Sequence, residues 1–234
     1  MKSGKGLRHM NRPQNPNLQI LGLAIDQLGD LANGMVFLGG CATGLLISDP
    51  AAPPIRVTRD VDTIVDVSSR ADYYQLVEKL KQHHFKEDTS DGVPVCRWVG
   101  DGVILDVMPV DDAILGFGGA WHKKAMMHAV TVEIDEVRQI RMVSPPYFLI
   151  TKLEAFKGRG DGDYLQSHDI EDIISVLDGR SEILDEVISA DTELKAELSR
   201  RFRKMLNDQR FLNAVAGHMP PDVASQARAQ SVIE

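Results

Sequence analysis

Two short stretches decide how this chain is read, Phe37-Leu38-Gly39-Gly40-Cys41-Ala42-Thr43 and Arg56-Val57-Thr58-Arg59-Asp60-Val61-Asp62. The first starts inside an apolar run of strand length, Met35 to Leu38, and closes on two glycines. Ala42, Thr43, Leu45 and Leu46 then follow at a spacing compatible with a helix. The order is strand, tight turn, helix start. Glycines at such a turn let backbone N–H groups approach an anion, and the helix start adds unpaired donors and a positive dipole end. In the second stretch a period of two sends Asp60 and Asp62 to one face of a strand and Val61, Thr63 and Val65 to the other. Two carboxylates with one outlook make a platform for a divalent metal.

A third element fits the same site. Val103-Ile104-Leu105-Asp106-Val107-Met108 is a short apolar strand in which Asp106 is the only charge. An ionised carboxylate in that setting is costly unless paired or metal-bound. Three carboxylates on two adjacent strands can hold two Mg²⁺ ions roughly 3.5–4 Å apart, as in-line phosphoryl or nucleotidyl displacement requires. Mg²⁺, with Mn²⁺ as a substitute, suits all-oxygen donors and shares its coordination sphere with substrate phosphates. Asp60, Asp62 and Asp106 are therefore the expected metal ligands, and the Gly39-Gly40 turn, with the Thr43 hydroxyl, the expected contact to substrate phosphates.

The remainder of the chain bounds the reading. At 234 residues, 43% hydrophobic and 26% charged, it is long enough for one large or two small domains with a substantial core. No apolar run approaches the ~20 residues needed to cross a bilayer. The stretch from Met1 to Asn17 lacks the apolar centre of a secretory signal, so a soluble, cytoplasmic protein without a membrane partner is expected. Cys41 and Cys96 form neither a disulfide framework nor a zinc pattern. A net charge of −8 argues against an unspecific nucleic-acid binder. It leaves a structured RNA substrate open, and Arg200, Arg201, Arg203 and Lys204 concentrate positive charge near the C-terminus.

Residues 1–17 are polar and rich in Gly, Pro and Asn, and a loosely held arm is expected there. Helices are expected over 18–33 and 70–84, a hairpin over Val93 to Val99 and Val103 to Val107 around Gly100-Asp101-Gly102, and two strands over 130–143. The segment 49–55, with its three prolines, reads as a surface loop. Beyond Ser144 the pattern is helical. Pro145 and Pro146 occupy the tolerated first turn, Leu149, Ile150, Leu153 and Phe156 share one face, and Lys152 and Arg159 lie seven apart along its edge. In the next helix Ile170, Ile173, Ile174 and Leu177 form the stripe, flanked by Asp169 and Asp172. The expected architecture is an α/β sandwich on a mixed sheet with flanking helices over 18–143, followed by a mainly helical region over 144–234.

Gly39-Gly40, then Asp60-Val61-Asp62, then Asp106 resembles the nucleotidyltransferase superfamily of the DNA polymerase β type. Within it, Arg56-x-Thr58-x-Asp60-x-Asp62 and the later block from Ser144 to Phe156, with Arg159 and Asp169-Ile170-Glu171-Asp172-Ile173, resemble AbiEii-type abortive-infection toxins, over roughly residues 20 to 180. The resemblance implies a catalytic Lys152 that faces the triphosphate with Arg159, an Asp169 that orients it or the attacking group, and Thr58 among the nucleotide contacts. It also implies a toxin-like enzyme that transfers nucleotides to RNA such as tRNA, restrained by a separate antitoxin protein. Two other readings stand beside it: nucleotidylation of a small molecule such as an aminoglycoside, and a catalytically silent nucleotide-binding module. Lys152 paired with Asp169 or Asp172 as a structural salt bridge is the alternative for that cluster.

Overall fold

The computed structural model describes residues 15–67, 69–116, 119–158 and 162–233. The chain divides into two compact units, one formed by residues up to Leu45 with Arg56–Ser144, the other by Leu46–Ile55 with Pro145–Glu234.

The first unit opens with helix α1 (Leu18–Leu28), which gives way to a 3-10 turn (Gly29–Gly34) instead of continuing to residue 33. The break falls at Gly29, whose φ of +53° is a conformation that side chains rarely adopt. Strand β1 (Met35–Leu38) and helix α2 (Gly40–Leu46) flank Gly39. Then come β2 (Asp60–Val65), α3 (Arg70–Gln82), β3 (Lys86–Glu87), β4 (Arg97–Val99), β5 (Ile104–Pro109), α4 (Asp112–Leu115), α5 (His122–Met127), β6 (Val130–Glu133) and β7 (Gln139–Met142). Ser69 starts α3, its hydroxyl accepting from Asp72 N at 3.1 Å while donating to the Asp72 carboxylate at 2.7 Å, a reciprocal cap that satisfies one helix-end donor.

All seven strands form one mixed sheet in the order β3-β4-β5-β2-β1-β7-β6. The β2–β5 and β1–β7 pairs are parallel, and the other four are antiparallel. Every residue of β1 is buried, as a central strand covered on both faces requires. Val36, Phe37, Val61, Ile64, Leu105 and Val107 are fully enclosed in the core of the sheet. Asp60 and Asp62, by contrast, alternate with buried Val61 and Thr63 as the period of two requires.

The second unit is helical: α6 (Pro145–Gly158), α7 (His168–Gly179), α8 (Ile183–Ser189), α9 (Thr192–Leu206), α10 (Gln209–Gly217) and α11 (Val223–Ile233). Ile170, Ile173, Ile174 and Val176 supply the buried face of α7, whereas Leu177 is only half-buried. The proline-rich segment 47–55 is irregular, yet it is anchored here. Ser48 N and Asp49 N donate to Gly179 O at 2.9 and 3.0 Å, and a Cβ on Gly179 would sit 2.7 Å from Ile47 Cγ2. Among the described residues no helix is long and apolar enough to cross a membrane.

Candidate active site

The register of the sheet collects the predicted carboxylates. In the parallel β2–β5 pair Asp62 lies opposite Asp106, and in the antiparallel β1–β2 pair Leu38 lies opposite Asp62. Directly opposed residues share a face, so Asp106 joins Asp60 and Asp62 on one side of the sheet while the chain leaves β1 into the glycine turn beside them. Gly39 has φ +74°, and a Cβ built on it would lie 2.6 Å from Asp62 Cγ and closer still to Oδ2. The Asp62 carboxylate therefore rests against bare backbone. At Gly40 a Cβ would meet Arg56 Nη2 at 2.5 Å and Thr58 Oγ1 at 3.2 Å.

These contacts carry a prediction. Gly39→Ala must both occupy a left-handed conformation and push the Asp62 carboxylate aside, a combination costing about 1–3 kcal/mol. The expected result is a lower urea midpoint together with weakened nucleotide binding by the variant that still folds. Unchanged stability and binding would show that the turn and Asp62 are not in the contact described.

Behind the turn stands a residue that sequence reasoning placed in the loose arm. Residues 1–14 of that arm lie outside the described residues, but Asn17 is fully buried. Its Oδ1 accepts from Thr58 N at 2.9 Å, and its Nδ2 donates to Arg56 O at 3.1 Å and to Gly40 O at 3.5 Å. One amide thus ties the 56–58 segment to the glycine turn. Thr58 Oγ1 in turn donates to Asp60 Oδ1 at 2.8 Å, so Thr58 orients a carboxylate. Thr43 is buried in α2 with its hydroxyl unpartnered among the described residues. Cys41 is buried with Sγ 3.2 Å from Leu38 O. Burial, and then the charges of Asp106 and Asp62, push the Cys96 thiol up to about 12, which keeps it protonated and unreactive.

Arg97, on β4, is the other residue the sequence did not single out. It lies opposite Asp106 in the antiparallel β4–β5 pair, and its Nε and Nη2 donate to Asp106 Oδ1 and Oδ2, both at 2.8 Å. The same Nη2 donates to Asp60 Oδ2 at 2.9 Å. Hydrogen bonding to Asp106, the largest contribution, raises the guanidinium further above its usual range and keeps it charged. The donor chemistry of the three carboxylates fits Mg²⁺ or Mn²⁺. Their present arrangement is different: carboxylates gathered around a guanidinium, with no three His, Cys, Asp or Glu side chains among the described residues converging as metal ligands would.

In the second unit, Lys152 of α6 meets two carboxylates of α7. Its Nζ donates to Asp172 Oδ2 at 2.6 Å and to Asp169 Oδ1 at 3.2 Å, and all three side chains are buried. Arg159 lies outside the described residues. Arg200, Arg201 and Lys204 of α9 line a cavity of about 400 Å³ together with Lys157, Arg210 and Tyr164. Arg200 and Arg201 are paired with Glu197, and the Tyr164 ring stacks on Phe156 at 5.1 Å with the Arg210 guanidinium 5.9 Å from its centroid. Three members of the C-terminal charge cluster, Arg200, Arg201 and Lys204, thus border an aromatic-lined recess in which Arg210 is paired with Asp208.

No family model matches the chain, and no curated protein matches it. Among solved structures it is similar to an antigenic nucleotidyltransferase-like protein from Paracoccidioides brasiliensis, with a TM-score of 0.52 and 21% identity, over 85% of this chain and 93% of that one. The likeness establishes the fold class, a mixed α/β sheet of the nucleotidyltransferase-like type.

Proposed function

We propose that the chain is a metal-dependent nucleotidyltransferase that moves an NMP group from an NTP to an acceptor hydroxyl and releases pyrophosphate. The observation that carries this reading is the contact of the Gly39-Gly40 turn with Asp62, on a strand whose neighbour brings Asp106 into register. The glycine turn at a helix start and the Arg56 guanidinium beside Gly40 suit the triphosphate, and the carboxylates lie where charge must be managed during transfer. A divalent ion held by Asp60, Asp62 and Asp106 would, when bound, neutralise phosphate charge and polarise the α-phosphate. Asp106 takes the proton of the acceptor hydroxyl. The freed oxygen bonds to the α-phosphorus, and the bond from that phosphorus to the pyrophosphate oxygen breaks.

For the acceptor we propose RNA, with tRNA the form implied by the AbiEii-like motifs, and with an antitoxin as the restraining partner. The basic recess of the second unit supports this, because cations with a stacked aromatic pair suit a phosphate-bearing, base-containing ligand. Lys152 and Asp169 we assign first to holding α6 on α7, given their burial with Asp172. One observation favours a second reading, the silent nucleotide-binding module: Arg97 already neutralises two of the three carboxylates.

The test is incubation of the protein with each α-labelled NTP, Mg²⁺ and total RNA. RNA labelled by wild type and not by Asp106→Asn is the expected result. Label on an added aminoglycoside instead would move the acceptor to the small-molecule class, and NTP binding with no transfer to any acceptor would leave the silent module.

A further inference from the structure

The carboxylates assigned above to a divalent ion already hold a cation supplied by the chain. One Arg97 guanidinium takes both oxygens of Asp106 and one of Asp60, and the remaining Asp60 oxygen accepts from Thr58. A divalent ion with this ligand set needs the same oxygen atoms. We propose that Arg97 is a tethered competitor for the divalent ion: it closes the carboxylate cluster in the metal-free protein and must swing out of it before metal can bind. This inference rests on the metal-dependent reading and adds to it a control on when the site is armed.

Three observations carry it. The position of Arg97 is fixed by backbone pairing, since Arg97, Trp98 and Val99 lie opposite Asp106, Leu105 and Ile104. The guanidinium is therefore delivered to Asp106 by the hairpin itself. Both of its donor nitrogens match the carboxylate as a planar fork, the strong form of such a pair. Its side chain nevertheless keeps 20% exposure against 8% for Asp106. The arginine thus borders solvent, whereas the carboxylate is more deeply enclosed. A guanidinium does not deprotonate in the working pH range, so the arginine keeps its charge until a competing cation takes its place.

A ligand that binds only the open fraction of a population shows an affinity reduced by that fraction. Removing a charge-assisted fork should therefore tighten metal binding by about tenfold or more. The experiment is a Mn²⁺ titration of the full chain followed by electron paramagnetic resonance, on wild type, Arg97→Gln and Arg97→Lys, with melting curves with and without Mn²⁺. The expected result is tighter Mn²⁺ binding by Arg97→Gln, a lower metal-free midpoint from carboxylate repulsion, and a larger metal-induced gain than wild type. Arg97→Lys, a point charge without the fork, should fall between. Equal affinity in wild type and Arg97→Gln overturns the competitor and leaves the metal site standing. Weaker binding by Arg97→Gln also overturns it, making Arg97 a support for the metal ligands. Absence of Mn²⁺ binding in all three removes the metal-dependent reading and this inference together. A measurement on wild type alone guards against misfolded variants: phenylglyoxal modification of Arg97, read by mass spectrometry, should speed up on adding Mn²⁺, and an unchanged or slower rate contradicts expulsion.

Discussion

Asp62→Asn should lower NMP transfer by roughly 10²–10³ or more while leaving the urea midpoint near that of wild type. The size follows from losing one preorganised charge where the transition state gathers charge. The intact fold follows from its surroundings: Asp62 is half-buried within β2, and Asn keeps the shape that packs against Gly39. Asp106→Asn should lose transfer to a similar degree and stability as well. It breaks the charged fork with Arg97, worth about 1–3 kcal/mol for hydrogen bonds to charged groups. Rate assays paired with urea melts of both variants check the contrast. Equal stability of the two would show that the Arg97–Asp106 fork contributes nothing to folding, and full transfer by either would remove the carboxylates from the reaction.

The second large effect is expected far along the chain. Lys152→Ala strands Asp169 and Asp172 in a buried site without their cation, and breaking a buried pair from one side typically costs about 3–5 kcal/mol. That is a large share of the stability of an ordinary domain. In a double-mutant cycle, Lys152→Ala with Asp172→Ala should be destabilised by less than the sum of the single changes. Chemical denaturation of the four proteins decides it. Additive losses, or a Lys152→Ala protein as stable as wild type, would show that the ammonium does not hold the two helices.

Both predictions start from residues that the sequence named, and they show how far it was legible. Strand β1, the glycine turn and the Asp-x-Asp strand could be read because each is local: an apolar run, two glycines, and a period of two. The pairing of Asp62 with Asp106 followed once both segments were strands of one sheet. What escaped was carried by residues whose role depends on a partner distant in sequence. Asn17 stands in a polar, Pro-rich stretch and nothing near it tells that its amide closes on Arg56 and Gly40. Arg97 was recoverable in principle. With Gly100-Asp101-Gly102 as the turn, pairing Val99 with Ile104 puts Arg97 opposite Asp106. The expected hairpin ran from Val93, however, and without a register its charged residues had no partners. Helix α1 stopped early for a local reason instead. Apolar spacing continues past Leu28, but the positive φ of Gly29 ends the helix. For Lys152 the helix faces were legible, whereas the choice between a phosphate and two carboxylates as its partner depends on how α6 and α7 pack.

The central claim is transfer of a nucleotidyl group, and an NTP labelled separately at the α- and γ-phosphates tests it most directly. The account predicts that wild-type protein with Mg²⁺ places α-label covalently on an acceptor while γ-label leaves as pyrophosphate, and that Asp62→Asn, folded to the same degree, does neither. Covalent γ-label on the acceptor would make the reaction a phosphoryl transfer. Folded wild-type protein that binds NTP and transfers neither label, across RNA and small-molecule acceptors, would contradict the account.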